Sequence, residues 1–341
     1  MTHSRSGRPV ALMGTLALIL AACTSGASTA PSGGGASPSA SGAPSASGGA
    51  SVEPSASGGA AVDLTGKTFT VGSKEFSEQL ILGQIAKLVL EDAGATVTDE
   101  TGLIGSSVVR EALISGEIDM YWEYTGTGWI NHLKNTTPVV GTKAQYDAVK
   151  EADAANDIVW LAPAPLNNTY AIALATEKAT ELNLKTLSDV ATYAMANPDK
   201  ATICAASEFL ARNDGLPGLE AAYGMKFGTP ATVELGLIPP AIDKGTDCIF
   251  GEVFATDSRV VELGLTVLED DKSFFAAYEP SLNVRKEVFD ANPGLADLFA
   301  PVAAALDTAT MTALNAKVDV DGEDAADVAK AFLDEKGLMG G

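Results

Sequence analysis

The stretch Thr68-Phe-Thr-Val-Gly-Ser-Lys-Glu-Phe76 begins the pattern that decides the fold. Its first four residues are typical of a short strand, and apolar residues at helical spacing follow at Leu80, Ile81, Ile85, Leu88 and Val89. Further segments predict a strand at Ala95–Thr98, a helix at Ser106–Ser115 and a strand at Ile118–Tyr121. This βαβαβ order predicts a parallel sheet covered by helices, and ligands bind such sheets outside the carboxyl ends of the strands. Gly72–Lys74 and Tyr124–Thr127 both fall at those ends.

The α/β alternation starts again with a predicted strand at Tyr170–Ala175. Later segments predict helices at 187–196, 219–223 and 239–244, and strands at 201–205 and 248–253. A return strand is predicted from Asn283, and the chain is helical in pattern from Pro293 onward. The sequence therefore predicts an α/β fold with enough chain for one large domain or two small lobes.

The N-terminal 63 residues do not belong to this pattern. Residues 1–22 combine Arg5 and Arg8 with an apolar run and a final Ala-Ala pair, which is typical of a secretory signal peptide. Leu20-Ala-Ala-Cys23 resembles the lipobox of bacterial lipoproteins, in which the cysteine is acylated; the alternative is an ordinary cleavage site beside an incidental cysteine. Residues 23–63, rich in Ser, Gly, Ala and Pro, predict a disordered tether with an end-to-end distance of roughly 35 Å.

Charge and cysteine content narrow the function. The chain carries 44 acidic and 22 basic residues, a formal charge of -22, which argues against binding nucleic acid. Cys204 and Cys248 are a disulfide candidate in an oxidising compartment, provided that their Cα atoms lie within about 7 Å, and two buried thiols are the alternative. The two histidines, His3 and His132, stand far apart, so we expect no metal site.

No catalytic motif is present. The sequence contains no nucleophile elbow, phosphate loop or nucleotide fingerprint, so we expect neither an enzyme nor a cofactor. An enzyme that uses carboxylates alone stays open, because acidic residues are too numerous here to be informative.

Several segments together resemble one family. These segments are Val71–Leu82, Ala112–Thr127, Asn167–Ala171, Ser207–Gly215, Ala255–Asp257 and Tyr278–Pro280. They are similar to the osmoprotectant-binding proteins of ABC importers, which are bacterial lipoproteins of the glycine betaine, choline and carnitine type. The resemblance covers Gly66 to the C-terminus, and several motifs in one order are more specific than any single match.

The resemblance implies a type II periplasmic binding protein, in which two α/β lobes close on a ligand. We place lobe 1 at 64–168 plus 272–341 and lobe 2 at 169–271. The implied protein is a monomer outside the cytoplasm, held by its lipid on the outer face of the cell membrane. Its implied partners are a small quaternary ammonium zwitterion, glycine betaine above all, and a membrane permease with a cytoplasmic ATPase.

The resemblance also implies the site residues. In the family, aromatic residues form a box that binds the cationic group of the ligand, and its positions correspond here to Tyr124, Tyr170, Phe254 and Tyr278. Residue 254 is phenylalanine where the family usually has tyrosine. Positions that bind the ligand's carboxylate fall on Lys74, Thr127 and Arg212. The chemistry is consistent, because a trimethylammonium group has no N–H and is bound by aromatic faces, whereas a carboxylate is bound by charged donors.

Alternatives to these assignments stay open. A single tyrosine is more often a core residue, and Arg212 could instead form a structural ion pair with Asp214. Thr127 favours a ligand with a carboxylate over choline, since some choline-preferring members carry an aspartate there. The ligand could also be another zwitterion or related solute, such as carnitine, proline, choline or ergothioneine. A lipoprotein enzyme is the remaining class.

Overall fold

The computed structural model describes residues 62–245 and 247–340. The predicted signal peptide, Cys23 and the tether up to residue 61 lie outside the described residues. Val62, at the end of the predicted tether, packs against the core of the first sheet.

Two five-stranded sheets form the framework of the fold. The first has the order β2-β1-β3-β10-β4, with β1 (Thr68–Lys74), β2 (Thr96–Leu103), β3 (Met120–Tyr124), β4 (Ile158–Pro163) and β10 (Pro280–Arg285). The second has the order β7-β6-β8-β5-β9, with β5 (Tyr170–Ala175), β6 (Ile203–Ala205), β7 (Ala231–Thr232), β8 (Phe250–Phe254) and β9 (Leu265–Val267).

Helices cover both sheets. Seven follow strands of the first sheet or close the chain: α1 (Ser77–Asp92), α2 (Ser106–Ser115), α3 (Thr142–Asp153), α10 (Lys286–Ala291), α11 (Leu295–Ala304), α12 (Thr308–Asp319) and α13 (Ala325–Lys336). Six belong to the second half: α4 (Thr176–Leu182), α5 (Leu187–Ala196), α6 (Ser207–Ala211), α7 (Leu216–Tyr223), α8 (Ile238–Lys244) and α9 (Arg259–Glu262). Within 62–245 and 247–340, none of the helices has the length and apolar character needed to cross a bilayer.

The predicted βαβαβ unit is confirmed for the first three strands, because β1 pairs in parallel with both β2 and β3. The sheet as a whole is mixed, however. The predicted return strand, β10, inserts between β3 and β4 and runs antiparallel to both. The parallel unit is thus one part of a mixed sheet, and the direction of the return strand was not predicted, since the local pattern of a strand does not reveal which neighbours it finds.

The apolar spacing of α1 explains the first core. Its Ile81, Leu82 and Ile85 are fully buried against the sheet, together with Trp122 of β3 and Phe332 of α13. Each such aliphatic side chain contributes about 1.5–3 kcal/mol on burial, so this face fixes the helix on the sheet. The start of α1 then lies beside the carboxyl ends of β1 and β3.

In the second sheet, Cys204 of β6 is joined to Cys248 by a disulfide. Their Cα atoms are 5.6 Å apart, which satisfies the condition set from the sequence. Both residues are buried, in a small apolar cluster with Ile238 and Ile242 of α8.

The chain crosses between the sheets twice, from β4 to β5 and from β9 to β10. The two crossing segments are hydrogen-bonded to each other: Asn168 N donates to Tyr278 O at 3.1 Å, and Tyr278 N donates to Asn167 Oδ1 at 2.7 Å. The carboxyl ends of β1, β3 and β8 face this junction and bring Lys74, Tyr124 and Phe254 to one place.

Candidate ligand-binding site

All seven residues predicted to contact the ligand line one cavity between the two sheets. They are Lys74, Tyr124, Thr127, Tyr170, Arg212, Phe254 and Tyr278. The cavity has a volume of about 100 Å³. Binding sites for drug-sized molecules are usually about 300–1,000 Å³, so this cavity suits a small solute.

Three aromatic rings form a continuous wall. Tyr170 of β5 and Phe254 of β8 are paired across the strands, which sets their ring centroids 5.2 Å apart. Tyr278, on the second crossing segment, meets Tyr170 edge-on at 5.4 Å. The pairing of β5 with β8 and the position of the second crossing segment therefore place three of the four predicted box residues side by side.

Phe76 is a further aromatic residue of this cavity that the sequence did not single out. Its ring lies 5.4 Å from that of Phe254 and 6.3 Å from that of Tyr124, with interplanar angles of 26° and 18°. It therefore lies between a ring of the first sheet and a ring of the second. Its position two residues after Lys74, at the carboxyl end of a strand, was the signal that could have found it.

The hydroxyl groups of two box tyrosines are held by the protein. Tyr124 Oη donates to Glu78 Oε1 at 2.8 Å, and Tyr278 Oη donates to Asp214 Oδ2 at 2.6 Å. Both bonds fix the rings while leaving their faces for the cavity. Lack of a hydroxyl at Phe254 is consistent with a box that works through ring faces.

Lys74, in the wall of the cavity, forms a buried ion pair. Its Nζ lies 2.7 Å from Glu123 Oε1 and 5.0 Å from the centroid of the Tyr124 ring. Burial alone would raise the pKa of Glu123, but the charge of Lys74 and a hydrogen bond from His132 together hold that pKa well below its usual value. Burial also lowers the pKa of His132, which favours a neutral imidazole beside Glu123.

Arg212 is held by two carboxylates. Its Nε and Nη2 engage Asp214 at 2.7 and 2.6 Å, and Nη1 donates to Glu208 at 2.6 Å. Nη2 also donates across the cleft to Thr127 Oγ1 at 3.3 Å. The ion pair with Asp214, left open from the sequence, is thus present, and four of the five N–H groups of a guanidinium are engaged.

Glu78, in the first turn of α1, joins the two sides of the site. Its carboxylate accepts hydrogen bonds from Tyr124, from Asn168 at 2.8 Å, from Asn315 at 3.1 Å and from Thr256 at 2.6 Å. Burial raises its pKa in spite of these four donors. Because Thr256 follows a strand of the second sheet, Glu78 links that sheet to the first.

Glu252 is a second carboxyl residue at the cavity that the sequence did not reveal. It lies on β8 between Phe250 and Phe254, is only 2% exposed, and accepts a hydrogen bond from Ala206 N at 2.8 Å. Burial raises its pKa to about 8. In the part of the chain that the structure describes, no cluster of histidine, cysteine, aspartate and glutamate has a geometry suited to a metal ion.

Two α/β lobes around an aromatic and charged cavity define a solute-binding protein. Residues 67–335 match the family model described as the substrate binding domain of ABC-type glycine betaine transport system. The chain belongs to this family of extracytoplasmic substrate-binding proteins of ABC transporters.

Individual relatives agree with the family. The glycine-betaine-binding protein of Pseudomonas aeruginosa is 39% identical over 282 residues, covering 80% of this chain and 89% of that protein. The glycine betaine-binding protein YehZ of Escherichia coli is 36% identical over 276 residues, covering 78% and 90%. The crystal structure of a glycine betaine/carnitine/choline ABC transporter protein is 26% identical, with a TM-score of 0.64, covering 79% of this chain and 99% of that one.

The raised pKa of Glu252 predicts a pH dependence of stability. Its carboxyl titrates near 4.5 when unfolded and near 8 when folded, so the folded protein binds more protons between these values. Wild-type stability should therefore fall as pH rises from about 4.5 to about 8. Glu252→Gln keeps the acceptor for Ala206 N and lacks this titration. The unfolding free energy of Glu252→Gln, measured relative to that of the wild type, should therefore increase across that window by an amount on the order of a few kcal/mol.

Urea unfolding of both proteins at several pH values measures this difference. Glu234→Gln, which changes an exposed glutamate, is the control and should follow the wild type. A constant difference between Glu252→Gln and the wild type from pH 5 to 8 would contradict the prediction.

Proposed function

We propose that this chain captures a small quaternary ammonium solute, glycine betaine, outside the cytoplasm and delivers it to the permease of an ABC importer. The observation that carries the proposal is the cavity of about 100 Å³ walled by Tyr124, Tyr170, Phe254 and Tyr278. Aromatic faces attract a trimethylammonium group by about 0.5–2 kcal/mol each, depending on desolvation. The names of the relatives in Pseudomonas aeruginosa and Escherichia coli support the same ligand.

The carboxylate of the ligand is assigned to Lys74, Thr127 and Arg212. Within the described residues, the Lys74 ammonium forms a hydrogen bond to Glu123 alone, so two of its three N–H groups are left to donate. Among the described residues, the bonds of Arg212 occupy four of its five N–H groups, so one is left to donate to the ligand and the guanidinium supplies charge. Thr127 Oγ1 already joins Arg212 and is placed to contact the same carboxylate.

The cavity walls come from both proposed lobes. Lys74, Tyr124 and Thr127 belong to 64–168, which together with 272–341 forms lobe 1, and Arg212 and Phe254 belong to 169–271, lobe 2. The ligand therefore closes the lobes by binding both. We propose that the closed monomer docks on the permease, which a cytoplasmic ATPase drives, and that no reaction takes place at the site.

The ring of Tyr124 should contribute more than its hydroxyl. Tyr124→Ala removes the ring face and should weaken glycine betaine binding by about 0.5–2 kcal/mol. Tyr124→Phe retains the face and leaves Glu78 with three donors, so its affinity should stay close to that of the wild type. Isothermal titration calorimetry of the two variants compares them directly. Equal losses would assign the effect to the hydroxyl.

Arg212 should discriminate ligands with a carboxylate from those without one. Arg212→Ala should cost glycine betaine about 2–5 kcal/mol, as for one partner of a buried charge pair. Choline lacks the carboxylate, and removal of Arg212 leaves Asp214 and Glu208 uncompensated, so choline should lose far less. Arg285→Ala, an ion-paired arginine that does not line the cavity, is the control. Equal losses for both ligands would instead make Arg212 a residue of lobe closure alone.

We also propose that Cys23 is acylated and anchors the protein to the outer face of the membrane. The support is its place after the apolar run and before the long Ser/Gly/Ala/Pro tract. Two or more acyl chains give stable anchoring, whereas one is marginal. The Cys23→Ala variant should therefore be lost from the membrane fraction on cell fractionation, and it should no longer be labelled by palmitate. Retention of the variant in that fraction would overturn the anchor without affecting the solute-binding proposal.

A further inference from the structure

Glu208, in the first turn of α6, brings a carboxylate of the protein itself to the wall of the aromatic cavity. Its Oε1 accepts a hydrogen bond from Arg212 Nη1 at 2.6 Å, and its Oε2 accepts one from Ser106 N at 2.9 Å. Ser106 begins α2, which belongs to the half of the chain built on the first sheet, so Glu208 reaches across the cleft. The cavity proposed to receive the ligand's carboxylate is therefore lined by a carboxylate already.

The cations assigned to the ligand's carboxylate also act on Glu208. Burial raises the pKa of Glu208, but the charges of Lys74 and Arg212 and the hydrogen bond from Ser106 N together hold that pKa below its usual value. Glu208 is therefore an anion at neutral pH. Because Lys74 and Arg212 attract both anions, the side chain and the ligand compete for the same pair of charges.

The N–H groups of Arg212 are too few for both carboxylates. A carboxylate that binds an arginine bidentately takes two N–H groups, as in many arginine–carboxylate pairs. Among the described residues, only one of the five N–H groups of Arg212 is left. A ligand that binds Arg212 bidentately therefore displaces one of its three partners, which are Asp214, Thr127 and Glu208.

Glu208 is the partner whose displacement costs least. Asp214 is buried, contacts Arg212 through both oxygens and also accepts a hydrogen bond from Tyr278 Oη. Thr127 is buried as well. The side chain of Glu208 is 31% exposed, and only one of its oxygens contacts Arg212. A carboxylate near water can be hydrated when it loses a partner, whereas a buried one is left unsatisfied.

We propose that Glu208 is a specificity-determining residue that takes the place of a ligand carboxylate on Arg212 and is displaced from it when a carboxylate-bearing solute binds. Its bond to Ser106 N joins the two sides of the cleft around any ligand. Its bond to Arg212, in contrast, weakens the binding of carboxylate-bearing ligands alone. The inference rests on the proposed function and concerns how tightly the site binds a carboxylate.

Glu208→Gln separates these two bonds. Its amide oxygen accepts a hydrogen bond from Ser106 N, and its NH2 group then faces Arg212 and cannot accept from it. Arg212 Nη1 is left for the ligand, so glycine betaine should bind about fivefold tighter or more. Choline has no carboxylate and should gain nothing. Isothermal titration calorimetry with both ligands measures the two changes.

Glu75→Gln is the matched control. Glu75 lines the same cavity and accepts a hydrogen bond from Gly105 N at 3.1 Å, next to the bond between Ser106 N and Glu208. The four described hydrogen bonds of Arg212 do not include Glu75. The control variant therefore removes a negative charge beside the cavity without releasing the arginine, and its affinity for glycine betaine should stay within about twofold of the wild type.

The outcomes separate this inference from the proposed function. An unchanged or weaker affinity of Glu208→Gln for glycine betaine would overturn the role of Glu208, because a residue that only holds Arg212 in place cannot strengthen binding when it is removed. Equal gains in Glu75→Gln, or for choline, would also overturn it, since the effect would then be one of net charge or of closure. Absence of glycine betaine binding to the wild type and to both variants would overturn the proposed function and this inference with it.

Discussion

The carboxylate of Glu78 is the point on which the arrangement of the site depends. It is buried, and it accepts hydrogen bonds from Tyr124 of the box, from Asn168 of a crossing segment, from Asn315 of α12 and from Thr256 beyond β8. A buried donor that lost this acceptor would be left unsatisfied, so Glu78 holds the four donors in one arrangement. One acceptor thus fixes the ring of Tyr124, the crossing segment that carries Asn168 and, through Thr256, the contact between the two sheets.

The sequence predicted the fold class from its alternating strand and helix patterns, and the family resemblance implied the seven residues that the structure brings to one cavity. Phe76 was missed because an aromatic residue at the start of a helix is as easily explained by packing against the helix. Glu78 and Glu252 were missed for another reason. Among 44 acidic residues a single glutamate carries no signal, and burial of a carboxyl is a property of the folded chain. The antiparallel insertion of β10 was likewise invisible, since it joins segments more than 100 residues apart.

The positive charges of the site already face carboxylates of the protein itself. Lys74 faces Glu123, and Arg212 faces Asp214 and Glu208. A ligand carboxylate therefore adds to groups that already have partners, and its gain is smaller than that of a salt bridge formed with a free cation. This balance also suits a zwitterion, whose two charges enter a cavity that holds both signs.

Hydrogen bonds between protein groups alone join the half of the chain built on the first sheet to the half built on the second: Thr256 with Glu78, Thr127 with Arg212, and Ser106 N with Glu208 at 2.9 Å. Apparent affinity equals the intrinsic affinity of the closed form multiplied by the fraction of molecules already closed. Each of these bonds therefore strengthens solute capture at low concentration. The same bonds let empty receptors adopt the closed shape, so a transporter that recognises shape alone would meet unloaded competitors. More contacts between the lobes thus raise the apparent affinity for a scarce solute, but they also increase the fraction of empty receptors that compete for the transporter.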